Sequence, residues 1–249
     1  MSKKYLTEVY TKVCGVKSVP DAQAQKRKSI YNTQLTVIGL TVPELKKINK
    51  SFSFYDKKPR EIMKIWDYIW NKSSVFDVKI QAILYYEKKM NEINYDEHWS
   101  LFSSWLDGVD NWEHSDRLSR FYSHLLEQNP KKVYPVLKEW NSAKNPWFRR
   151  QSVVSLIFYS TLRQKVIAKT KIFSLVKKLL KDTDYYVQKG VGWTLREVGN
   201  VYPEATLDFM EKNLNDISSV AFSAAVEKVS SHVKEKLKEQ RKNFRKKSR

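Results

Sequence analysis

Trp112, Asp116, Arg150 and Trp193 are the residues whose types and spacing invite chemistry. A carboxylate stabilises positive charge that grows in a reacting group. Indole faces attract cationic or electron-poor groups. A guanidinium fork gives two charge-assisted bonds to one phosphate. Each residue also has a plainer reading. The tryptophans fit a helical core, Asp116 fits an i,i+4 partner of Arg120, and Arg150 fits a solvated neighbour of Arg149.

These residues must be positioned by helices. Apolar residues recur at three-to-four spacing, as in Ile62, Ile65, Trp66, Ile69 and Trp70, and no alternating strand pattern stands out. Prolines 43, 59, 130, 146 and 203 mark first helical turns, giving roughly a dozen helices. Four helices open with an aromatic: Phe76, Trp112, Trp147 and Tyr185, at intervals of 36, 35 and 38 residues. A further start is expected near Ser218 and an earlier one beside Pro43. Between them fall helices over Pro59–Asn71, Tyr95–Val109, Pro130–Asn141 and Lys169–Lys181. A two-helix unit at this period predicts an all-α fold, an α-solenoid of HEAT-like helical repeats with a concave groove. Counted from each opening aromatic, Asp116 is at offset 4, Arg150 at 3 and Trp193 at 8. At about 100° per residue these offsets share one face with Trp112. Aligned repeats would bring the four residues to one groove.

The 249 residues carry a net charge of +19, with 41% hydrophobic residues. That apolar share supplies a core, so the charge is not a mark of disorder. The segment from Ala225 to Arg249 holds +7, leaving +12 on the body. This predicts a single repeat domain over 1–235 and a basic tail over 236–249, read as a frayed helix end or mobile arm. A polyanion is the expected partner. Lys79, Arg149, Arg150 and Lys189 fall near the starts of inner helices, whose free N–H groups also suit phosphate. One cysteine, Cys14, excludes a disulfide framework and fits a reducing compartment. There is no secretory leader pattern after Met1 and no membrane span, so a cytoplasmic protein is expected. The four histidines lack metal-site spacing, and no Walker or G-x-G-x-x-G loop occurs.

Three segments resemble the AlkD-type DNA alkylation repair family: Trp112-Glu113-His114-Ser115-Asp116, Pro146-Trp147-Phe148-Arg149-Arg150, and Tyr185 through Glu197. Gly39-Leu40-Thr41-Val42-Pro43 resembles that family's N-terminal helix junction. The order matches from about Lys26 to Lys228. The resemblance implies a HEAT-like glycosylase that releases N3- or N7-alkylated purines, such as 3-methyladenine and 7-methylguanine, from duplex DNA. It implies Asp116 as the catalytic carboxylate, Trp112 and Trp193 as groove tryptophans that cradle sugar and lesion, and Arg150 as a phosphate holder. It also implies a largely stacked lesion rather than a flipped base, and no metal or cofactor. Lys46 and Lys47 stand where the family commonly has arginines. Glu113 replaces the usual Asp, and His114-Ser115 replaces an apolar pair. A monomer bound to alkylated double-stranded DNA is expected. The alternatives are a non-catalytic solenoid that binds DNA by shape and, behind it, a protein-binding scaffold.

Overall fold

The computed structural model describes residues 2–16 and 20–247, with side chains through residue 243. Fourteen α-helices occur among these residues: α1 Ser2–Cys14, α2 Asp21–Tyr31, α3 Val42–Ile48, α4 Pro59–Lys72, α5 Phe76–Lys88, α6 Tyr95–Trp105, α7 Trp112–Gln128, α8 Pro130–Trp140, α9 Pro146–Val154, α10 Lys169–Leu179, α11 Tyr185–Val201, α12 Pro203–Lys212, α13 Ser219–Ala225 and α14 Ser231–Lys247. The fold is an all-α helical-repeat fold, and no strand is present among the described residues. An isolated bridge joins Thr36 to Val75.

Side-chain caps explain where the inner helices begin. Asn111 accepts from the His114 N–H at 2.8 Å, Asn145 from Trp147 at 2.9 Å, and Ser218 from Ala221 at 3.0 Å. Asp184 accepts from both Tyr186 and Val187. Each cap satisfies an amide that the first turn leaves unpaired. At α5 the bridge takes that part, with the Phe76 N–H bonded to the Thr36 carbonyl at 2.8 Å. These particular N–H groups are therefore committed within the chain.

The chain divides into two compact units, Met1–Phe121 and Tyr122–Arg249. In the first, Trp66, Trp70, Trp105, Phe54 and Phe102 form a core of rings almost wholly removed from water. The Trp70 indole donates to the Trp105 carbonyl at 3.0 Å. A continuing helix would give that carbonyl to Val109, so α6 stops at Trp105 instead of running on to Val109. A 3-10 turn, Leu106–Gly108, follows.

The second unit is organised about α11, which packs against α9 and α13. Two glycines make this possible. A Cβ on Gly190 would lie 3.1 Å from Arg150 Cγ and from Val154 Cγ2 on α9. A Cβ on Gly192 would lie 2.2 Å from the Ala221 carbonyl oxygen on α13. Two residues apart on a helix means nearly opposite faces, so one glycine serves each neighbour. Gln188 is buried and its amide donates to the carbonyls of Leu179 and Asp182, both at 2.8 Å, closing the end of α10. That helix consequently stops short of Lys181.

The basic tail has no break at residue 236. α14 runs through it, with Leu237 fully buried. Arg241 is also buried, donates to the Ile217 carbonyl at 2.6 Å and lies 4.6 Å from the Phe222 ring centroid. Of the two expectations for the tail, the described residues form a helix that is anchored at Leu237 and Arg241. The side chains of Phe244–Lys247, and residues 248 and 249, lie outside the described residues.

Candidate functional site

Trp112 and Asp116 sit one turn apart on the same face of α7, both half-buried. The Trp112 indole N–H donates to the Ile30 carbonyl at 2.8 Å, and Tyr31 meets its ring edge-on at 5.6 Å. Tyr31 also stacks on Phe76, 4.5 Å away and 8° from parallel. The tryptophan is therefore held by the end of α2 rather than left to rotate.

Two of the three residues between them face inward. His114 and Ser115 are fully buried. The His114 ring lies 4.4 Å from Phe76 at 14° and 5.4 Å from Trp70, and its Nδ1 is 2.9 Å from the Asn111 amide. Burial, with Lys79 nearby, pushes the imidazole down to about 3, so it is neutral. Glu113 reaches Arg117 at 2.7 Å, and Arg117 reaches Glu87 at 3.0 Å. Burial opposes the Arg117 charge, but Glu87 and Glu113 more than offset it. The Glu113-His114-Ser115 departures thus fall on packing and a local ion network, away from the face that carries Trp112 and Asp116.

Lys79 turns inward. Only 5% exposed, it donates to the Gly108 carbonyl at 3.1 Å and lies 4.9 Å from the Trp70 ring centroid. Burial lowers its pKa, with Asp110 opposing that shift. Such a side chain supports the turn before α7. Asp110 accepts from the Thr33 hydroxyl and the Gln34 N–H. Burial works against its charge, but bonds from Asn111, Thr33 and Gln34 hold it below the ordinary carboxylate range. Asp77 accepts from the N–H groups of Ile38, Gly39 and Leu40, fixing the junction where Gly39 takes φ 87°. Burial raises its pKa despite those donors. Lys46 and Lys47 are exposed in the last turn of α3.

In the second unit Arg150 is 5% exposed, and its Nη1 donates to the Tyr186 carbonyl at 2.7 Å across Gly190. Arg149 grips Asp182 through Nε and Nη2 and donates to the carbonyls of Ala143 and Lys144. Both arginines brace the α9–α11 region. Lys189 is exposed, 5.9 Å from the Tyr185 ring centroid. Trp193 is half-buried, with Phe158 against its ring at 5.5 Å, Tyr159 edge-on at 5.6 Å and the Arg196 guanidinium 5.8 Å from its centroid. Tyr31, Asp77, Asp110, Tyr159 and Glu197 escaped the sequence reading. Each works through a partner far along the chain, and only Glu197 lay within a quoted motif. No group of three or more His, Cys, Asp or Glu side chains suited to a metal occurs among the described residues.

The sequence matches the family of DNA alkylation repair enzymes over residues 18–229. No curated protein matches. A solved structure described as a predicted DNA alkylation repair enzyme from Enterococcus faecalis is similar, at 15% identity and a TM-score of 0.70, over 84% of this chain and 96% of that one. AlkD2 from Streptococcus mutans is similar at 18% identity and a TM-score of 0.57, over 93% and 100% of the two chains. A further structure from Streptococcus mutans UA159 aligns at 18% identity and a TM-score of 0.53, over 98% and 99%. At these identities the structures speak for the fold, whereas the family match spans most of the sequence: the chain belongs to the DNA alkylation repair enzyme family.

Proposed function

We propose that this repair enzyme is a DNA glycosylase that hydrolyses the N-glycosidic bond of cationic N3- and N7-alkylated purines, 3-methyladenine and 7-methylguanine among them, in duplex DNA. The observation that carries the reading is the pairing of Asp116 with Trp112 on one face of α7, with His114 and Ser115 turned into the core. Such a purine already bears positive charge, so the C1′–N bond breaks with its electron pair moving to the base, which departs neutral. Positive charge then grows on the deoxyribose. The Asp116 carboxylate stabilises that charge and orients water for attack at C1′, leaving an abasic site and one released proton. The Trp112 ring lies against the sugar. Because the leaving group needs no protonation, the base can stay stacked while the protein grips the backbone. Lys46, Lys47 and Lys189, all exposed, supply phosphate contacts. The enzyme works as a cytoplasmic monomer on double-stranded DNA.

The test is base release from methylated duplex DNA. Asp116→Asn should cut release by about 10²-fold or more, the size of effect expected when a transition-state charge partner is lost, while DNA affinity and Tm hold. Wild-type protein that frees no more base than Asp116→Asn refutes the proposal.

A further inference from the structure

Three lysines gather where α3 and α5 end. Lys46 is in the last turn of α3, Lys50 follows just after it, and Lys88 closes α5. All three are exposed. Asn49 ties the two helix ends together. It is fully buried, and its amide donates to the Gln81 carbonyl at 2.8 Å and to Gln81 Oε1 at 2.9 Å. Its Oδ1 is thereby fixed in direction and accepts from Lys88 Nζ at 2.8 Å. Burial lowers the Lys88 pKa, and the neighbouring charges of Lys50 and Lys46 lower it further. The carboxylates nearest in sequence are engaged elsewhere. Glu44 accepts from the Thr41 N–H and hydroxyl, Glu87 pairs with Arg117, and Glu92 pairs with Lys89. No ion pair joins Lys46, Lys50 or Lys88 to an acid among the described residues. The carbonyl ends of the two helices temper such a cluster, but they supply no full counter-charge. Like charges held together cost the free protein energy, and an arriving anion recovers it.

We infer that Lys46, Lys50 and Lys88 form a phosphodiester-binding site that grips the backbone of duplex DNA. The inference rests on the DNA partner of the reading above and not on its glycosidic chemistry. Lysine ammoniums are point charges suited to phosphate and blind to base identity. An ammonium carries three donors, so the bond from Lys88 to Asn49 leaves two for phosphate oxygens. Held this way, Lys88 loses less freedom on binding than an unrestrained lysine does. A DNA strand offers one phosphate per about 3.4 Å of helix axis, so neighbouring ammoniums meet successive phosphates. The site adds affinity for any duplex, damaged or intact.

The experiment measures affinity for an undamaged duplex between about 50 and 200 mM salt. It compares wild type, Lys50→Met, Lys88→Met and Lys89→Met, with Tm and binding to phosphatidylglycerol vesicles measured alongside. Lys50→Met and Lys88→Met should each reduce the slope of log affinity against log salt by about 0.9, one phosphate's share. Lys89→Met should leave the slope alone, since Glu92 already holds that ammonium. The Tm of Lys50→Met without DNA should hold or rise, because a repelling charge is gone and no bond is lost. Lys88→Met gives up its bond to Asn49, so its slope is read well below its own Tm. An unchanged slope in either Lys50→Met or Lys88→Met overturns the inference. An equal loss in Lys89→Met overturns it too, by showing only an effect of net charge. Variants that keep the DNA slope but lose the vesicles would mark a lipid-headgroup site, which also overturns it. Wild type that binds no duplex sinks the DNA reading itself, a result told apart because the parent and not the variant fails.

Discussion

Sealed against Phe76 and Trp70, the His114 imidazole binds a proton in the folded chain only near pH 3. Lys79 and Arg117 oppose its protonation and Asp110 favours it. An unfolded histidine titrates near 6.5, so between these values the unfolded state holds more protons. Stability from this residue is whole above the upper value and drains as pH falls, by at most about 1.4 kcal/mol per unit. Urea unfolding at pH 7 and pH 5 should show wild type losing about 2 kcal/mol more than His114→Leu. Equal losses would mean that the ring is protonated in the fold. At this scale the sequence was half legible. Helical spacing was enough to pair Trp112 with Asp116. It could not place Lys79 or Arg149, because their partners, the Gly108 carbonyl and the Asp182 carboxylate, come from turns that no periodicity predicts.

Helix starts were the most legible elements. Phe76, Trp112 and Tyr185 open α5, α7 and α11, Pro146 precedes Trp147 by one residue, and Ser218 caps α13. Local cues decide these positions: a proline, a polar cap, an aromatic. Helix ends were less legible because remote side chains set them, Trp70 for α6 and Gln188 for α10. The Gly190–Trp193 stretch, met first as a family signature, now has a packing reason. Its two glycines let α9 and α13 close on opposite sides of the helix that carries Trp193. Gly192→Ala should therefore cost about 3 kcal/mol, seen as a Tm fall of roughly 6–12 °C, because the new methyl meets backbone that cannot swing aside. An unchanged Tm would show that α13 can retreat at no cost.

For the whole molecule, the +19 charge is not a count of phosphate contacts. Lys79, Arg117, Arg149, Arg150 and Arg241 are engaged with carbonyls or carboxylates of the chain itself. The salt dependence of DNA binding separates the two populations. Lys189→Ala should reduce the slope of log affinity against log salt by about 0.9, one phosphate's share. Lys79→Met should leave the slope unchanged while preserving the apolar stem against Trp70. A reduced slope in Lys79→Met would return that lysine to the DNA interface.

The α14 anchor bears on how the protein is handled. Charge alone invites trimming at residue 236, as though only a soluble appendage were discarded. The cut would remove Leu237 and Arg241, and with them the cover over Phe222 and the Ile217 carbonyl. The shortened chain would trade a strongly charged end for a newly bared apolar seam, the combination that leads to self-association during expression. Affinity tags and fluorophores therefore belong beyond that helix, with its anchoring turns kept whole.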